Sequence, residues 1–104
     1  MAAVVCWWSF STRPRQDVYL YSQDNWDIYV DADSAEDVTP DTWTCIYRMV
    51  DRAESTPTIT HRIYFSIYSK KALKYQIENG ASGTCSYGDP YYTMAMFADK
   101  RRQH

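Results

Sequence analysis

Eight carboxylates lie in residues 16–47, a stretch that contains no Lys or Arg. They are Asp17, Asp24, Asp27, Asp31, Asp33, Glu36, Asp37 and Asp41. Clustered carboxylate oxygens can bind a hard cation such as calcium, or can imitate the phosphates of a nucleic acid. Nine basic residues follow from Arg48 onward, so the net charge of −2 conceals a strongly dipolar chain. Such segregation indicates charged partners or internal ion pairing rather than a particular fold.

The spacing of these carboxylates argues against a calcium loop. With Asp31 counted as the first ligand position, Ala35 stands at the fifth, Glu36 at the glycine position and Thr42 at the bidentate glutamate position. We therefore predict no metal and no cofactor. The segment is interpreted as a solvated acidic loop that leads into a helix.

Catalytic motifs are equally weak. Residues 80–83 are one residue short of a nucleophile elbow, and they follow a predicted helix rather than a strand. His61 lies in the middle of a predicted strand, on its apolar side, so we interpret it as a core histidine rather than a general base. The sequence predicts that the protein is not an enzyme.

The three cysteines are widely spaced, at Cys6, Cys45 and Cys85, which predicts free thiols and a reducing, cytoplasmic location. The apolar run at residues 2–10 has no basic residues before it and is about nine residues long, so it is interpreted as a strand rather than a signal peptide. No apolar run approaches the roughly 20 residues that span a bilayer, so we expect a soluble protein with no membrane partner.

Apolar periodicity predicts a single compact α+β domain over residues 1–97, followed by a basic flexible tail over residues 98–104. Strands are predicted at residues 4–10, 17–21, 25–31, 58–68 and 91–97, and the first of them, apolar on both faces, is expected to be central. Turn-prone residues join the second and third strands into an antiparallel hairpin. A polar loop is predicted at residues 81–90.

Two helices are predicted from their start signals. Thr39 as N-cap, Pro40 at the first position and Asp41 in the first turn begin one helix. Its apolar stripe consists of Trp43, Ile46, Tyr47, Val50 and Ala53. The other helix is predicted over residues 69–78, with Ser69 as its cap. Its inward residues are Leu73 and Ile77.

These elements predict an α+β fold: a single, mostly antiparallel sheet of about five strands with two helices packed on one face. The opposite face is expected to be partly polar and exposed. Its predicted side chains are Tyr19, Tyr21, Asp27, Tyr29, Asp31, Arg62, Tyr64 and Tyr68. In the strand predicted at residues 58–68, alternate residues are expected to face inward, namely Ile59, His61, Ile63, Phe65 and Ile67.

The function that we favour from the sequence is a small protein-binding inhibitor or regulator. Alternate residues of a strand are about 6.6 Å apart, so acids on a strand form a row of charges that can imitate phosphates. The predicted partner-binding residues are Asp27, Tyr29, Asp31, Asp33, Glu36, Asp37, Tyr19 and Tyr21. The expected partner is a protein with a basic, nucleic-acid-binding surface, by analogy of size and charge with phage-type antagonists of host nucleases or defence complexes. The competing interpretation is an acidic loop that only keeps the protein soluble.

Two other classes stay open. One is a small ligand-binding protein or enzyme with an anion site at the N-terminus of the second helix, formed by Lys70, Lys71 and Lys74. A solvated lysine face is the simpler interpretation of the same residues. The other class is a homodimeric subunit whose exposed sheet completes the dimer. Direct nucleic-acid binding is not expected, because the net charge is negative.

Overall fold

The computed structural model describes residues 17–53 and 58–102. They form six strands and one helix: β1 (Asp17–Gln23), β2 (Trp26–Thr39), β3 (Thr42–Asp51), β4 (Ile59–Ser69), β5 (Ala72–Ile77), β6 (Ser82–Ser86) and α1 (Pro90–Arg101). Each strand pairs antiparallel with the next, in one sheet of order β1 to β6. The predicted mostly antiparallel α+β class is confirmed. Within these ranges, however, the sheet has six strands rather than about five, and there is one helix rather than two.

Some predicted features fall at the limits of the described ranges. The strand predicted at residues 4–10 and the thiol of Cys6 lie outside them. Helix α1 continues through residues 98–101, the beginning of the segment predicted as a tail, and residues 103–104 again lie outside. The loop predicted at residues 81–90 contains β6.

Two strand predictions are confirmed. β1 and β2 form the predicted hairpin, and its turn contains Asp24 at φ 56°, a left-handed conformation that Asp tolerates because its short polar side chain can hydrogen-bond locally. The long predicted strand is β4, in which Ile63 and Phe65 are fully buried. Ile59 and Ile67, also expected inward, are 40% and 56% exposed because they lie near the two ends of that strand.

The first predicted helix is wrong. Its residues form β3, which is paired on one side with β2 and on the other with β4. Trp43, Cys45 and Tyr47 are all buried, which is the two-residue period of a strand. The hydroxyl of Thr39 accepts a hydrogen bond from the amide of Asp41 over 3.3 Å, within a hairpin turn. A helix N-cap and a turn of this kind both use a Thr side chain that accepts a hydrogen bond from a following amide. The segment forms a strand here because it pairs with β2 on one side and β4 on the other.

The second predicted helix is also wrong. The chain turns between β4 and β5, where the Ser69 hydroxyl accepts a hydrogen bond from the Lys71 amide over 3.4 Å. Leu73 and Ile77 are buried as predicted, but the half-buried Tyr75 lies between them on the same side of a strand. A spacing of four residues fits a helix face and a strand face equally well, so these two apolar residues cannot distinguish them.

In place of the last predicted strand, residues 91–97 belong to α1. Pro90 occupies the first turn of the helix, where backbone N–H groups have no intrahelical acceptor, so the absence of an N–H in proline costs no hydrogen bond. Met94, Ala95 and Ala98 are fully buried and share one side of the helix. Small residues on that side allow the helix to approach the sheet closely.

The helix packs on one face of the sheet, which we call the inner face, and contacts β2, β3 and β6. The buried core lies between them and consists of Ile28, Val30, Ala35, Trp43, Cys45, Tyr47, Ile63, Phe65, Leu73, Ile77, Cys85, Met94, Ala95 and Ala98. The opposite side is called the outer face. Among the residues described, no helix is long and apolar enough to cross a membrane.

Candidate functional site

The outer face is defined by the strand register. Tyr19 lies opposite Tyr29, Tyr29 opposite Arg48, and Arg48 opposite Thr60, and directly opposed residues share a face. The predicted members that the register places on the outer face are Tyr19, Asp27, Tyr29, Asp31, Arg62 and Tyr64. Tyr68 is 59% exposed. The Nζ atom of Lys74 lies 5.0 Å from the centroid of the Tyr68 ring.

Tyr21 does not lie on the outer face, because a β-bulge intervenes. The register shifts between Tyr19 and Tyr21, so Tyr21 is paired with the buried Ile28 and packs against the core. An extra residue in one strand reverses the alternation beyond it. Burial, together with the neighbouring hydroxyl of Tyr91, raises the pKa of Tyr21 to about 12. Nothing in the local sequence distinguishes a bulged strand from a regular one.

Asp31 is part of a buried charge cluster. Arg48 Nη1 lies 2.5 Å from Asp17 Oδ1 and 3.6 Å from Asp31 Oδ2. Both Arg48 and Asp31 are 8% exposed. A buried guanidinium needs a counter-charge, and its removal would deprive the buried carboxylate of Asp31 of this partner. These ion pairs therefore connect β1, β2 and β3, and the carboxylate of Asp31 contributes to the stability of the sheet.

Two more of the predicted acids are paired with arginines. Asp27 Oδ1 accepts a hydrogen bond from the Ser22 hydroxyl over 2.6 Å and lies 3.4 Å from Arg52 Nε. Asp37 Oδ1 lies 3.2 Å from Arg102 Nε. Asp37 is opposite Trp43 in the register, which places it on the inner face. The sequence keeps these acids and arginines far apart, so their pairing could not be read from it.

A wide bulge in β2 lies beyond the Asp31 cluster. Asp31 is paired with Ile46 and Glu36 with Thr44, so four residues of β2 stand where β3 has one. The Ser34 hydroxyl donates to the Asp31 carbonyl over 2.6 Å and accepts from the Ile46 amide over 2.7 Å, which fixes the bulge from inside.

Asp33 and Glu36 differ from the other acids of this strand. Both are exposed, and neither is ion-paired in the part of the chain that the structure describes. Glu36 lies opposite Thr44 and therefore on the outer face. The amide of Asp33 donates to Asp31 Oδ1 over 3.1 Å, a bond that does not involve the Asp33 carboxylate. These two carboxylates are available to a partner.

The three lysines of the predicted anion site are placed differently. Lys70 and Lys71 lie in the exposed turn between β4 and β5, and Lys74 lies on β5 beside Tyr68. The predicted helix N-terminus does not exist there, which removes the amide donors that an anion site of this type requires.

A group of tyrosines on the inner face was not anticipated from the sequence. The side chains of Tyr47 and Tyr91 interact, and the ring centroids of Tyr75 and Tyr91 are 4.3 Å apart. Burial raises the pKa of both Tyr47 and Tyr91 above its usual value. The ring of His61 lies 5.4 Å from that of Tyr47. The tyrosines are contributed by β3, β5 and α1, so only the fold brings them together.

The chemistry available at the two described thiols is limited by burial. Burial raises the pKa of Cys45 to about 12, and it also raises the pKa of Cys85. Thiolates are the reactive form, so both side chains behave as small apolar core residues. In residues 17–53 and 58–102, no group of three or more His, Cys, Asp or Glu side chains is arranged to hold a metal ion.

The exposed arrangement is therefore a surface of carboxylates and tyrosines rather than a pocket of reactive groups. Comparison with known proteins finds no matching family model, no matching curated protein and no matching solved structure.

Proposed function

We propose that this protein is a protein-binding module, an inhibitor or regulator that occupies a basic, nucleic-acid-binding site on a partner protein. Its binding surface, here called the acidic surface, consists of Tyr19, Asp27, Tyr29, Asp33 and Glu36. The observation that carries the proposal is the contrast within β2. Asp31 and Asp37 lie beside the buried or nearly buried Arg48 and Arg102, and Asp27 lies beside the half-exposed Arg52. Asp33 and Glu36, in contrast, are exposed and unpaired among the described residues.

The aromatic part of the acidic surface is held in a defined geometry. Tyr19 is 53% exposed, and its ring meets that of Tyr29 edge to face, with centroids 5.7 Å apart. The Tyr19 hydroxyl is hydrogen-bonded to the Ser22 hydroxyl at 2.7 Å, and Ser22 donates in turn to Asp27. Rigid amphipathic aromatics lose little side-chain entropy on binding, which suits them to a protein interface.

The electrostatic part extends beyond direct contacts. Eight carboxylates lie in residues 17–41, and three arginines pair with members of that group. The surplus of negative charge attracts a basic partner over a distance set by ionic strength, about 8 Å under physiological conditions. Affinity that depends on this charge falls as salt is added, because exposed charges are screened.

The proposed surface is narrower than the set of residues that the sequence suggests. Asp31 belongs to the Arg48 cluster, Asp37 contacts Arg102, and Tyr21 packs in the core. Reversing the charge of Asp31 or Asp37 would therefore disturb folding and would not test binding. The acids that test it are Asp33 and Glu36.

The experiment is a capture from a cell extract on four immobilised proteins: wild type, Glu36→Lys, the double variant Asp33→Lys/Glu36→Lys, and Glu78→Lys. Glu78 is exposed in the turn between β5 and β6, so it receives the same charge change away from the acidic surface. We expect a basic, nucleic-acid-binding protein to be enriched on wild type and Glu78→Lys, reduced on Glu36→Lys and absent from the double variant. Equal capture on all four proteins would refute the proposal.

Light scattering on the same wild-type preparation separates this function from self-association. A partner-binding module of this kind is expected to show the mass of one chain. A homodimer that buries the outer face would show twice that mass, and it would lose the dimer when Tyr19 is replaced by Arg.

A further inference from the structure

A groove of about 590 Å³ lies between β1 and the C-terminal helix. One wall is Leu20, which the β1 bulge places toward the helix side. The other wall is formed by Tyr92, Met96 and Phe97 of α1. Tyr87 stands at the rim, 91% exposed, with its ring 6.2 Å from that of Tyr92. Grooves that bind small ligands have volumes in this range, about 300–1,000 Å³, and mostly apolar walls.

Positive charge marks one end of the groove. Lys100 and Arg101 line it there, in the last turn of α1. The guanidinium of Arg101 lies 3.8 Å from the centroid of the Phe97 ring, so the apolar wall and the cations are continuous. Lys100 is exposed and makes no ion pair within the described ranges. None of the described residues that line the groove is a carboxylate.

We propose that this groove binds one molecule of a free, single-chain amphiphilic carboxylate, such as a medium-chain fatty acid. The tail lies against Leu20, Met96 and Phe97, and the carboxylate lies at Lys100 and Arg101. An apolar wall recognises the tail through the area it removes from water. A charge-assisted hydrogen bond to a guanidinium or an ammonium orients the head. The groove shares no residue with the acidic surface, and the register places Tyr19, Asp27, Tyr29 and Glu36 of that surface on the outer face of the sheet.

The test is a titration of the protein with sodium decanoate, followed by two-dimensional amide NMR. We expect saturable shifts at Leu20, Met96 and neighbouring amides, with one site per chain. The double variant Lys100→Ala/Arg101→Ala is expected to weaken binding about tenfold. The matched double variant Lys71→Ala/Lys74→Ala removes two lysines outside the groove and should leave binding unchanged. Decanol, which has the same tail without the charge, is expected to bind about tenfold more weakly than decanoate.

Several outcomes would overturn the proposal. They are the absence of saturable shifts, shifts confined to residues away from the groove, and equal affinity for decanoate and decanol. If the protein binds vesicles of anionic phospholipid but not free decanoate, the groove recognises a lipid surface and the proposed free ligand is wrong. The variant Asp33→Lys/Glu36→Lys should bind decanoate as wild type does, which separates failure of this site from failure of the acidic surface.

Discussion

Trp43 Nε1 donates a hydrogen bond to the carbonyl oxygen of Ala95 over 3.0 Å. This bond joins the beginning of β3 to the middle of α1, and both residues are almost completely buried. The Arg102 guanidinium lies over the same indole ring, 4.7 Å from its centroid. Trp43 therefore contacts both the centre of the helix and the residue that follows it, and it holds α1 on the inner face.

The Trp43 hydrogen bond is tested by Trp43→Phe. The substitution removes the indole donor while keeping an aromatic ring, and we expect it to lower the free energy of unfolding by about 1–2 kcal/mol. Urea denaturation followed by circular dichroism gives the value. Trp26→Phe is the control, because Trp26 is only half-buried and has no comparable bond in the described structure. Equal losses for the two variants would show that the bond to Ala95 contributes nothing.

Arg48 is expected to be essential to stability. Arg48→Met removes the guanidinium beside the buried Asp31, and we expect a loss of about 3–5 kcal/mol, because a buried carboxylate then loses its counter-charge. Arg52→Met breaks an ion pair to Asp27 from a side chain that is 50% exposed, so its expected cost is below about 1 kcal/mol. Chemical denaturation of both variants decides the matter. A cost for Arg48→Met as small as that for Arg52→Met would contradict the assignment of a structural cluster.

Arg102 is expected to fix the end of α1 to the sheet. Its Nε atom lies 3.2 Å from Asp37 Oδ1 and 3.0 Å from Asp99 Oδ1, and its side chain is 14% exposed. We expect Arg102→Ala to cost about 2 kcal/mol through lost ion pairing and lost contact with Trp43. Arg101→Ala, in the exposed neighbouring position, is expected to cost much less. Hydrogen exchange of the last turn of α1 should accelerate only in Arg102→Ala, and equal exchange in both variants would argue against this contact.

The tyrosines of the inner face make stability depend on alkaline pH. Their pKa values are raised in the folded protein, to about 12 for Tyr21, whereas the unfolded chain ionises near 10. Above pH 10 the unfolded state therefore loses protons that the folded state retains. The stabilisation that depends on these tyrosines is fully present below pH 10, and the free energy of unfolding falls as the pH rises from 10 towards 12. The Cys45 thiol, whose pKa burial raises from 9.0 to about 12, adds a decline that begins near pH 9.

Denaturation curves measured at a series of pH values test this dependence. We expect Tyr21→Phe to retain a shallower decline, because one of the raised pKa values has been removed. A wild-type stability that is constant across pH 10–12, or a decline that Tyr21→Phe does not alter, would contradict the expected effect of burial.

The fold could be predicted where the pattern is unambiguous. The β1–β2 hairpin follows from turn residues between two alternating segments, and β4 follows from a long run of period two. The two predicted helices are wrong because their start signals also occur in hairpin turns. Thr39 before Pro40, and Ser69 before two lysines, form such turns in the structure. The segment that forms α1 is rich in aromatic residues, which favour strands locally. Its helical conformation is stabilised by burial of Met94, Ala95 and Ala98 against the sheet, a tertiary contact that the local sequence does not reveal.

The candidate surface could be predicted only in part. Strand alternation places Tyr19, Asp27 and Tyr29 on one face, and the structure confirms that placement. The pairing of Asp31 with Arg48 and of Asp37 with Arg102 depends on contacts between distant parts of the chain, which alternation does not contain. The two bulges, at Tyr21 and after Asp31, change the side-chain direction without a local sequence signal.

The most direct test of the acidic surface is competition for the partner's nucleic-acid site. A labelled DNA duplex is bound to the partner captured on wild type, and its fluorescence anisotropy is followed as this protein is added. We predict that wild type and Glu78→Lys displace the duplex, and that Asp33→Lys/Glu36→Lys does not. A duplex that stays bound while wild-type protein also binds would show that the acidic surface does not occupy the nucleic-acid site, and would contradict the proposed function.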